Sequence, residues 1–367
     1  MKIVMIGQKG IPALFGGIER HVEEVSCRLA QKEKYQVFVY TRGYYTLKSR
    51  KKYKRVKLIH LPTLKTKHLD TISHVFLATW HAIFKIKPDV IHYHGVGPAL
   101  CLWIPKLLSP RIKIVFTFHC RDYFHKKWNG FARLSLKIGE MIGCFLADEM
   151  IVVSPEIQKY VERNYGRKAI YIPHGVNQES NIPAKLIKKW DLKKGNYILA
   201  VSRLIAHKGL HYLIKAYQEI EFIDKKLVIV GPSFYTKDYE NELKKLAKDN
   251  PNVIFLGAQH GKVLKELFSN AYLFVHPSEQ EGLPLTVLEA ASFGCPLLLS
   301  DIEAHQEIFE DLPFFFRSKN VKNLKENLES LLRNPYLTRQ KIKKIKSYSR
   351  SHYDWDEVVE STILKYI

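Results

Sequence analysis

Two carboxylates stand close together in HPSEQEGLPLTVLEAASFG, which begins at His276: Glu281 and Glu289, with seven residues between them. Paired acids can share general acid/base work on one bond, or each can hold a different part of one extended ligand. The intervening residues bear on the choice. Pro284 suits the first position of a helix, and Leu285 to Ala291 reads as helix. Glu281 then lies in the loop before that helix and Glu289 about a turn and a half inside it. With Gly282 and Pro284 between them, the two do not share a helix face. The spacing therefore favours a two-point clamp over a dyad, with the N–H groups around Gly282 to Leu285 aimed at whatever lies between.

Two further segments could handle anions. AVSRLIAHKGL, residues 200–210, places Arg203 and Lys208 just past a strand that ends near Ser202. Arg supplies a planar fork and Lys a point charge, a combination that neutralises a diphosphate; the same segment also reads as a solvated basic loop. GQKGIPALFGGIERHVEE, residues 7–24, follows a strand and opens a helix. Gly16 and Gly17 let backbone approach a bulky anion at a helix N-terminus. The spacing is neither G-x-G-x-x-G nor a Walker A loop, and the plainer reading is a strand-to-helix turn needing positive φ. His119 ends the strand KIVFTFH, while His94 in HYHG reads as structural. Asp122 and Ser154 are weaker candidates, and Asp122 could equally cap a loop.

These residues need elements to hold them. Strand-like runs are KIVMIG, YQVFVYT, VKLIHLP, DVIHYHG, KIVFTFH, EMIVVS and AIYIP, then YILAVSR, KLVIVG, NVIFLG, YLFVHPS, PLLLSD and PFFF. Helix-like stretches separate them; Ile18, Val22, Val25 and Leu29 recur at helical spacing. Near-continuous apolar strands alternating with helices predict parallel sheets covered on both faces. The alternation restarts after a polar stretch at 176–195 that Pro183 interrupts. The expected architecture is α/β, with two doubly wound Rossmann-like domains in tandem: 1–178, 179–345, and a terminal helix over 346–367. In such sheets ligands bind beyond the carboxyl ends of the strands.

With these motifs in this order, the chain resembles the retaining family-4 glycosyltransferases of the GT-B fold. HPSEQEGLPLTVLEAASFGCPLLLSD, SRLIAHKG, GGIERHVEE, YIPHGV and the Trp-containing last helix all carry the likeness, which covers nearly the whole chain. GQKGIPALFGG is additionally similar to a rhamnosyltransferase-like subgroup of surface polysaccharide assembly. The resemblance implies two domains facing across a cleft, with the last helix crossing back onto the first. It implies that Glu281 contacts donor-sugar hydroxyls, helped by Gly282, Leu283 and Pro284, and that Glu289 holds the ribose. Ser202, Arg203 and Lys208 would take the diphosphate, with Gly16 and Gly17 closing on the same phosphates. His119 would line the sugar pocket near the reacting carbon.

The implied chemistry breaks the anomeric C–O bond to a diphosphate through an oxocarbenium-like state. Preorganised cations and helix N–H groups stabilise the leaving charge. If Arg203 and Lys208 do so, no metal is needed; the sequence shows no D-x-D motif in a suitable loop and no His/Cys cluster, and no cofactor is expected. With no carboxylate placed beneath the anomeric carbon, the resemblance favours a front-face mechanism. Glu289 on both ribose hydroxyls favours a ribonucleotide such as UDP or GDP, whereas the rhamnosyltransferase-like opening points to a thymidine diphosphate sugar; UDP-sugars rank first. A GT-B sugar-nucleotide epimerase or a disaccharide synthase would use the same residues.

The whole chain sets outer limits. Its 367 residues carry a net charge of +22, which favours anionic partners. KSRKKYKRVK, residues 48–57, is basic at seven of ten positions, and LKTKH and HKKW add more. This face is expected to dock on an anionic lipid surface beside a saccharide or lipid-linked acceptor; the alternative is a solvated lysine-rich face. A nucleic-acid-binding protein is the rival class, but no nucleic-acid motif appears and basic residues do not interleave with aromatics. Five scattered cysteines, odd in number and without C-x-x-C, suggest a reducing cytosol. The apolar run VFLATWHAIF is too short to span a bilayer, so the expected location is cytoplasmic, peripheral at most.

Overall fold

The computed structural model describes residues 1–367 except 15, 67–68, 122, 124–129, 179–181, 222, 234–235 and 249. The chain forms two compact units, one of Met1–Gly175 with Trp355–Ile367, the other of Val176–Asp354.

The first unit runs β1 (Lys2–Ile6), α1 (Gly17–Gln31), β2 (Gln36–Arg42), β3 (Lys52–Tyr53), β4 (Val56–Leu61), α2 (Asp70–His81), β5 (Val90–His94), α3 (Val96–Ala99), α4 (Trp103–Leu108), β6 (Lys113–Phe118), α5 (Gly130–Leu146), β7 (Glu149–Val152), α6 (Pro155–Tyr165) and β8 (Ile170–Tyr171). Helix α2 continues into a π-helical turn, Ala82–Ile86. The sheet order is β3-β4-β2-β1-β5-β6-β7-β8, parallel throughout except β3–β4. Strand β5 is buried at all five positions, as a strand covered on both faces must be. Leaving β1 the chain moves to β2 on one side, but β4→β5, β5→β6 and β6→β7 all step the other way. Right-handed crossovers therefore put α1 on one face and α2 to α5 on the opposite face.

Among the described residues, strand β3 is the one strand the sequence pattern did not announce. It lies inside the basic segment 48–57, where no apolar alternation marks it. Lys54 and Arg55, at φ 43° and 69°, form a tight left-handed turn back to β4. Lysines on an edge strand oppose pairing with other chains.

The second unit runs β9 (Tyr197–Val201), α7 (Leu210–Gln218), β10 (Lys226–Val230), α8 (Lys237–Leu246), β11 (Val253–Phe255), α9 (Gly261–Asn270), β12 (Leu273–His276), α10 (Leu285–Ser292), β13 (Leu297–Ser300), α11 (Glu303–Phe309), β14 (Phe314–Phe316), α12 (Val321–Arg333) and α13 (Pro335–His352). Its sheet is parallel, in the order β11-β10-β9-β12-β13-β14. The stretch around Pro183 is not a slack linker. Glu266 of α9 accepts from the N–H groups of Lys185, Leu186 and Ile187 at 2.9, 2.6 and 3.3 Å.

The terminal segment also departs from the expected single helix over 346–367. Helix α13 begins at Pro335 and stops at His352, the Val176 N–H donates to the Tyr353 carbonyl, and α14 (Trp355–Ile363) starts afresh in the first unit. Trp355 is buried there against Gly175, where a Cβ would lie 2.6 Å from the indole.

Candidate active site

In the second unit the strand order reverses between β9 and β12, so the loops leaving these two strands diverge around a crevice at their carboxyl ends. Ser202, Arg203 and Lys208 follow β9; the segment with Glu281 follows β12. Ser202 and Leu204 are fixed by bonds from their N–H groups to the carbonyls of Val230 and Pro232, both 3.0 Å. The chain then makes a short 3-10 turn, Ala206–Lys208, closed by Gly209 at φ 67°. The two loops are stitched together by the His207 carbonyl, which accepts from the Glu279 N–H at 2.8 Å and the Ser278 hydroxyl at 3.1 Å.

This stitching brings Lys208 to Glu281. The ammonium and Oε1 of the carboxylate form an ion pair whose side chains are only 13% and 9% exposed. Burial pushes the Glu281 carboxyl up, but the Lys208 charge, the neighbouring His276 and hydrogen bonds from Lys208 and Ser278 together outweigh it and hold the group well below the usual carboxylate range. On its other side lies a histidine relay. The Ser300 carbonyl can only accept, so His305 donates to it from Nδ1 at 2.8 Å. Burial holds His305 neutral, down at about 4, so its Nε2 is bare and accepts from His276 Nδ1 at 2.9 Å. That leaves His276 Nε2 as an unprotonated lone pair, buried without a partner, 3.5 Å from Glu281 Oε1.

Gly282, Leu283 and Pro284 are buried, and Glu289 is half-buried as the fifth residue of α10. Pro284 does not occupy the first helical position; it is the extended N-cap at φ −76°, ψ 102°, and Leu285 begins the helix. The carbonyl of Pro284 accepts the first helical bond, from Val287 at 3.0 Å. Proline suits the cap because its missing N–H lies outside the helical ladder.

Gly209 can only be glycine. A Cβ there would sit 2.0 Å from the Pro277 carbonyl oxygen, in a left-handed backbone. Gly209→Ala is expected to lower the urea midpoint of this unit by more than the roughly 1–2 kcal/mol of the left-handed conformation alone. Gly257→Ala, in the same unit with φ 63° and nothing within 4 Å of the added Cβ, is the control that carries the backbone penalty only. Equal losses in the two variants would remove the clash.

In the first unit Gly16 caps α1 at φ 100°, and a Cβ there would meet Glu19 Oε2 at 2.0 Å. The positive-φ reading thus applies to Gly16; Gly17, the exposed first residue of α1, has no such φ. Carboxylates of α1 hold the loop before it, Glu19 accepting from the Lys9 N–H at 3.1 Å and Glu23 from the Ala13 N–H at 2.7 Å.

His119 and His94 do come together, and with company. His94 Nδ1 lies 3.2 Å from His119 Nε2, and His21 Nδ1 lies 2.9 Å from His174 Nδ1. His92 lies tilted beside His94 with centroids 4.0 Å apart and meets the Tyr366 hydroxyl at 2.7 Å. Burial lowers all five imidazoles, His21 to about 3, so they are neutral. The outer nitrogens, His94 Nε2 and His119 Nδ1, are buried without partners. Whichever ring donates in that pair, the other carries its proton on the outer nitrogen, leaving one N–H unpaired. Ligand atoms of His21, His94 and His119 lie within 4.8 Å of one another, the spacing a metal site requires. The expectation of no histidine cluster is therefore wrong. Residues 21, 94, 119 and 174 are far apart in sequence and meet only because α1 and the carboxyl ends of β5, β6 and β8 converge at one end of the parallel sheet.

Ser154 is the N-cap of α6, accepting from the Ile157 N–H at 3.3 Å. Asp122 and the HKKW segment at 125–128 lie outside the described residues.

Residues 15–180 match the model of Glycosyltransferase Family 4, and residues 184–351 match that of Glycosyl transferases group 1. Between them the two models take in nearly the whole chain. The chain is a GT-B glycosyltransferase. An uncharacterized glycosyltransferase of Methanocaldococcus jannaschii is 24% identical over 100% of this chain and 98% of its own. An alpha-galactosylglucosyldiacylglycerol synthase of Streptococcus pneumoniae is 29% identical over 56% of this chain and 57% of its own. Among solved structures, Anabaena HepE in complex with UDP and glucose shares the fold with a TM-score of 0.82 at 18% identity, covering 99% and 98% of the two chains. In the glycosyltransferase the Lys208–Glu281 pair thus lies in the group 1 half and the histidine cluster in the Family 4 half.

Proposed function

We propose that this glycosyltransferase moves a sugar from a nucleoside diphosphate donor, with UDP-sugars first, to a saccharide or lipid-linked saccharide, with retention and without a metal ion, in polysaccharide or glycolipid assembly. The buried Lys208–Glu281 pair at the β9/β12 crevice carries the reading. A cation and an acceptor held side by side suit a diphosphate and a sugar hydroxyl that are joined in one molecule. Lys208 and Arg203, with the Ser202 region, take the diphosphate. Glu281 accepts from the sugar hydroxyls, with Gly282, Leu283 and Pro284 beside it, and Glu289 takes the ribose. The fold neighbour from Anabaena holds UDP and glucose, and the Streptococcus relative is named for making a glycolipid. For Gly16 and Gly17 as phosphate contacts, and His119 near the reacting carbon, the support is the family resemblance.

In this reading the anomeric C–O bond breaks toward the diphosphate, whose growing charge Arg203 and Lys208 stabilise. The acceptor hydroxyl attacks from the same face and its proton passes to the departing phosphate oxygen. No described helix is long and apolar enough to cross a membrane. We place the enzyme in the cytoplasm, with the basic segment 48–57 making peripheral contact with anionic lipid.

A thermal-shift series over UDP, GDP, ADP, dTDP and their sugars tests the donor. Ligand at a hundred times its Kd raises stability by about 2.7 kcal/mol. The largest shift is expected with UDP and UDP-sugars, without added divalent metal. A shift confined to dTDP would replace the nucleotide, and none at all would remove the donor site.

A further inference from the structure

Helix α5 carries its large side chains on the wrong side for a helix that only covers a sheet. Its buried residues are Gly139, Glu140, Gly143 and Cys144. A Cβ at Gly139 would lie 2.1 Å from the Val96 carbonyl, and one at Gly143 2.5 Å from the Phe116 ring, so the helix sits close against α3 and β6 through its glycines. Phe131, Leu134, Ile138, Met141 and Phe145 face outward, 79%, 57%, 39%, 45% and 59% exposed. Their spacing of three and four residues makes one continuous stripe along the helix.

Neighbouring elements on the same face of the sheet extend it. The α2 helix and its π-turn expose Trp80 and Phe84, stacked at 5.2 Å, and α4 exposes Trp103 and Leu107. By contrast, the second unit's large exposed apolar side chains among the described residues are Leu186 and Tyr336 alone. Outward charge on these helices is basic, and the acid at their rim, Asp148 just past α5, is paired with Lys106 of α4. The exposed charged residues of α2, the π-turn, α4 and α5 are Lys85, Arg133 and Lys137. The two acids on these elements, Asp70 and Glu140, are turned inward, Asp70 onto Arg42 and Glu140 onto the hydroxyls of Tyr160 and Tyr165.

We infer that the face formed by α2, its π-turn, α4 and α5 is a membrane-docking surface that inserts its apolar side chains into the interface of an anionic bilayer. Apolar residues with indoles and basic residues, and no outward acid on the helices themselves, match the chemistry of that interface. A stable partner protein would be served equally by acids; a negatively charged lipid surface would not. The surface is separate from the basic segment 48–57, which could contribute attraction but offers little to insert. The inference does not depend on which sugar is transferred, and failure of the nucleotide series would leave it standing.

The test is sedimentation of the full chain with vesicles of phosphatidylcholine alone or mixed with phosphatidylglycerol, with brominated lipids to quench indoles that enter the acyl region. Strong binding to the anionic vesicles is expected, with quenching from Trp80 and Trp103. Leu107→Glu with Phe145→Glu changes two exposed residues and is expected to weaken binding at least about tenfold, while the shift with UDP stays as in the parent. Lys51→Gln with Lys54→Gln, in the 48–57 segment, is expected to weaken it less. Unchanged binding in the Leu107/Phe145 variant, or a larger loss in the Lys51/Lys54 variant, would overturn the inference. So would a parent that ignores both vesicles, or one that forms a dimer which the Leu107/Phe145 variant abolishes.

Discussion

Acidification from about pH 7 to about pH 5 is expected to unfold the first unit while the second still stands. His21, His92, His94, His119 and His174 are buried together, and each titrates below the ordinary imidazole value because burial excludes its charge. His74, between Arg42 and the core, lies down at about 4, burial again the leading cause. In the unfolded chain these groups bind protons near pH 6.5; in the folded unit they do not until far lower. The unfolded state thus binds more protons below pH 6.5, so stability rises with pH there and is flat above it. Each excluded proton costs about 1.4 kcal/mol per pH unit below 6.5. Even three act at about 4 kcal/mol per unit, against a total domain stability of roughly 5–15 kcal/mol. The second unit carries fewer such groups: His276, lowered by burial but partly relieved by Glu281, and His305. Trp355 has its ring 5.8 Å from that of His21 and reports on the first unit directly. Urea midpoints followed by indole fluorescence should fall steeply between these pH values. A midpoint that does not move would mean the cluster accepts protons inside the fold.

Removing one member of the Lys208–Glu281 pair should be worse than removing both. Glu281→Ala leaves a buried ammonium without its counter-charge, a change that costs about 3–5 kcal/mol in comparable sites. Lys208→Met leaves the carboxylate, with the His276 lone pair 3.5 Å away and no proton between them. The double variant Lys208→Met with Glu281→Leu removes both charges and should recover most of the lost stability, because a buried pair contributes little net to folding. Activity should not recover. Loss of a preorganised charge at a leaving group typically costs about 10²–10³ in kcat, and the double variant lacks both the charge and the sugar acceptor. Urea midpoints and product formation on the same three proteins separate these effects. A double variant as unstable as either single one would mean the pair is structural rather than a site held ready for ligand.

Much of this was legible in the sequence. Every apolar strand was marked by its own run of Val, Ile, Leu and Phe, because a strand buried on both faces must be apolar throughout. The Arg203, Lys208 and Glu281 segments announced themselves by lying between strand ends and helix starts. What could not be read was anything made by convergence. His21, His94, His119 and His174 gain their meaning from sheet order, and no local spacing contains it. Strand β3 escaped because it is held by a turn and an edge rather than by burial. The inverted α5 escaped for a subtler reason: its apolar period is that of an ordinary core-facing helix, and only the close approach of Gly139 and Gly143 to their neighbours shows that the stripe faces outward.

The first unit is discontinuous in the chain: its last helix arrives only after the whole of the second unit has been made. On the ribosome, the second unit has its full sequence before the first one does. Until Trp355 reaches Gly175 and Tyr366 reaches His92, the carboxyl end of the sheet, which carries the histidines, lacks its cover. Assembly order is thus written into the topology, with the later-numbered unit free to mature first and the earlier one waiting for Trp355–Ile367.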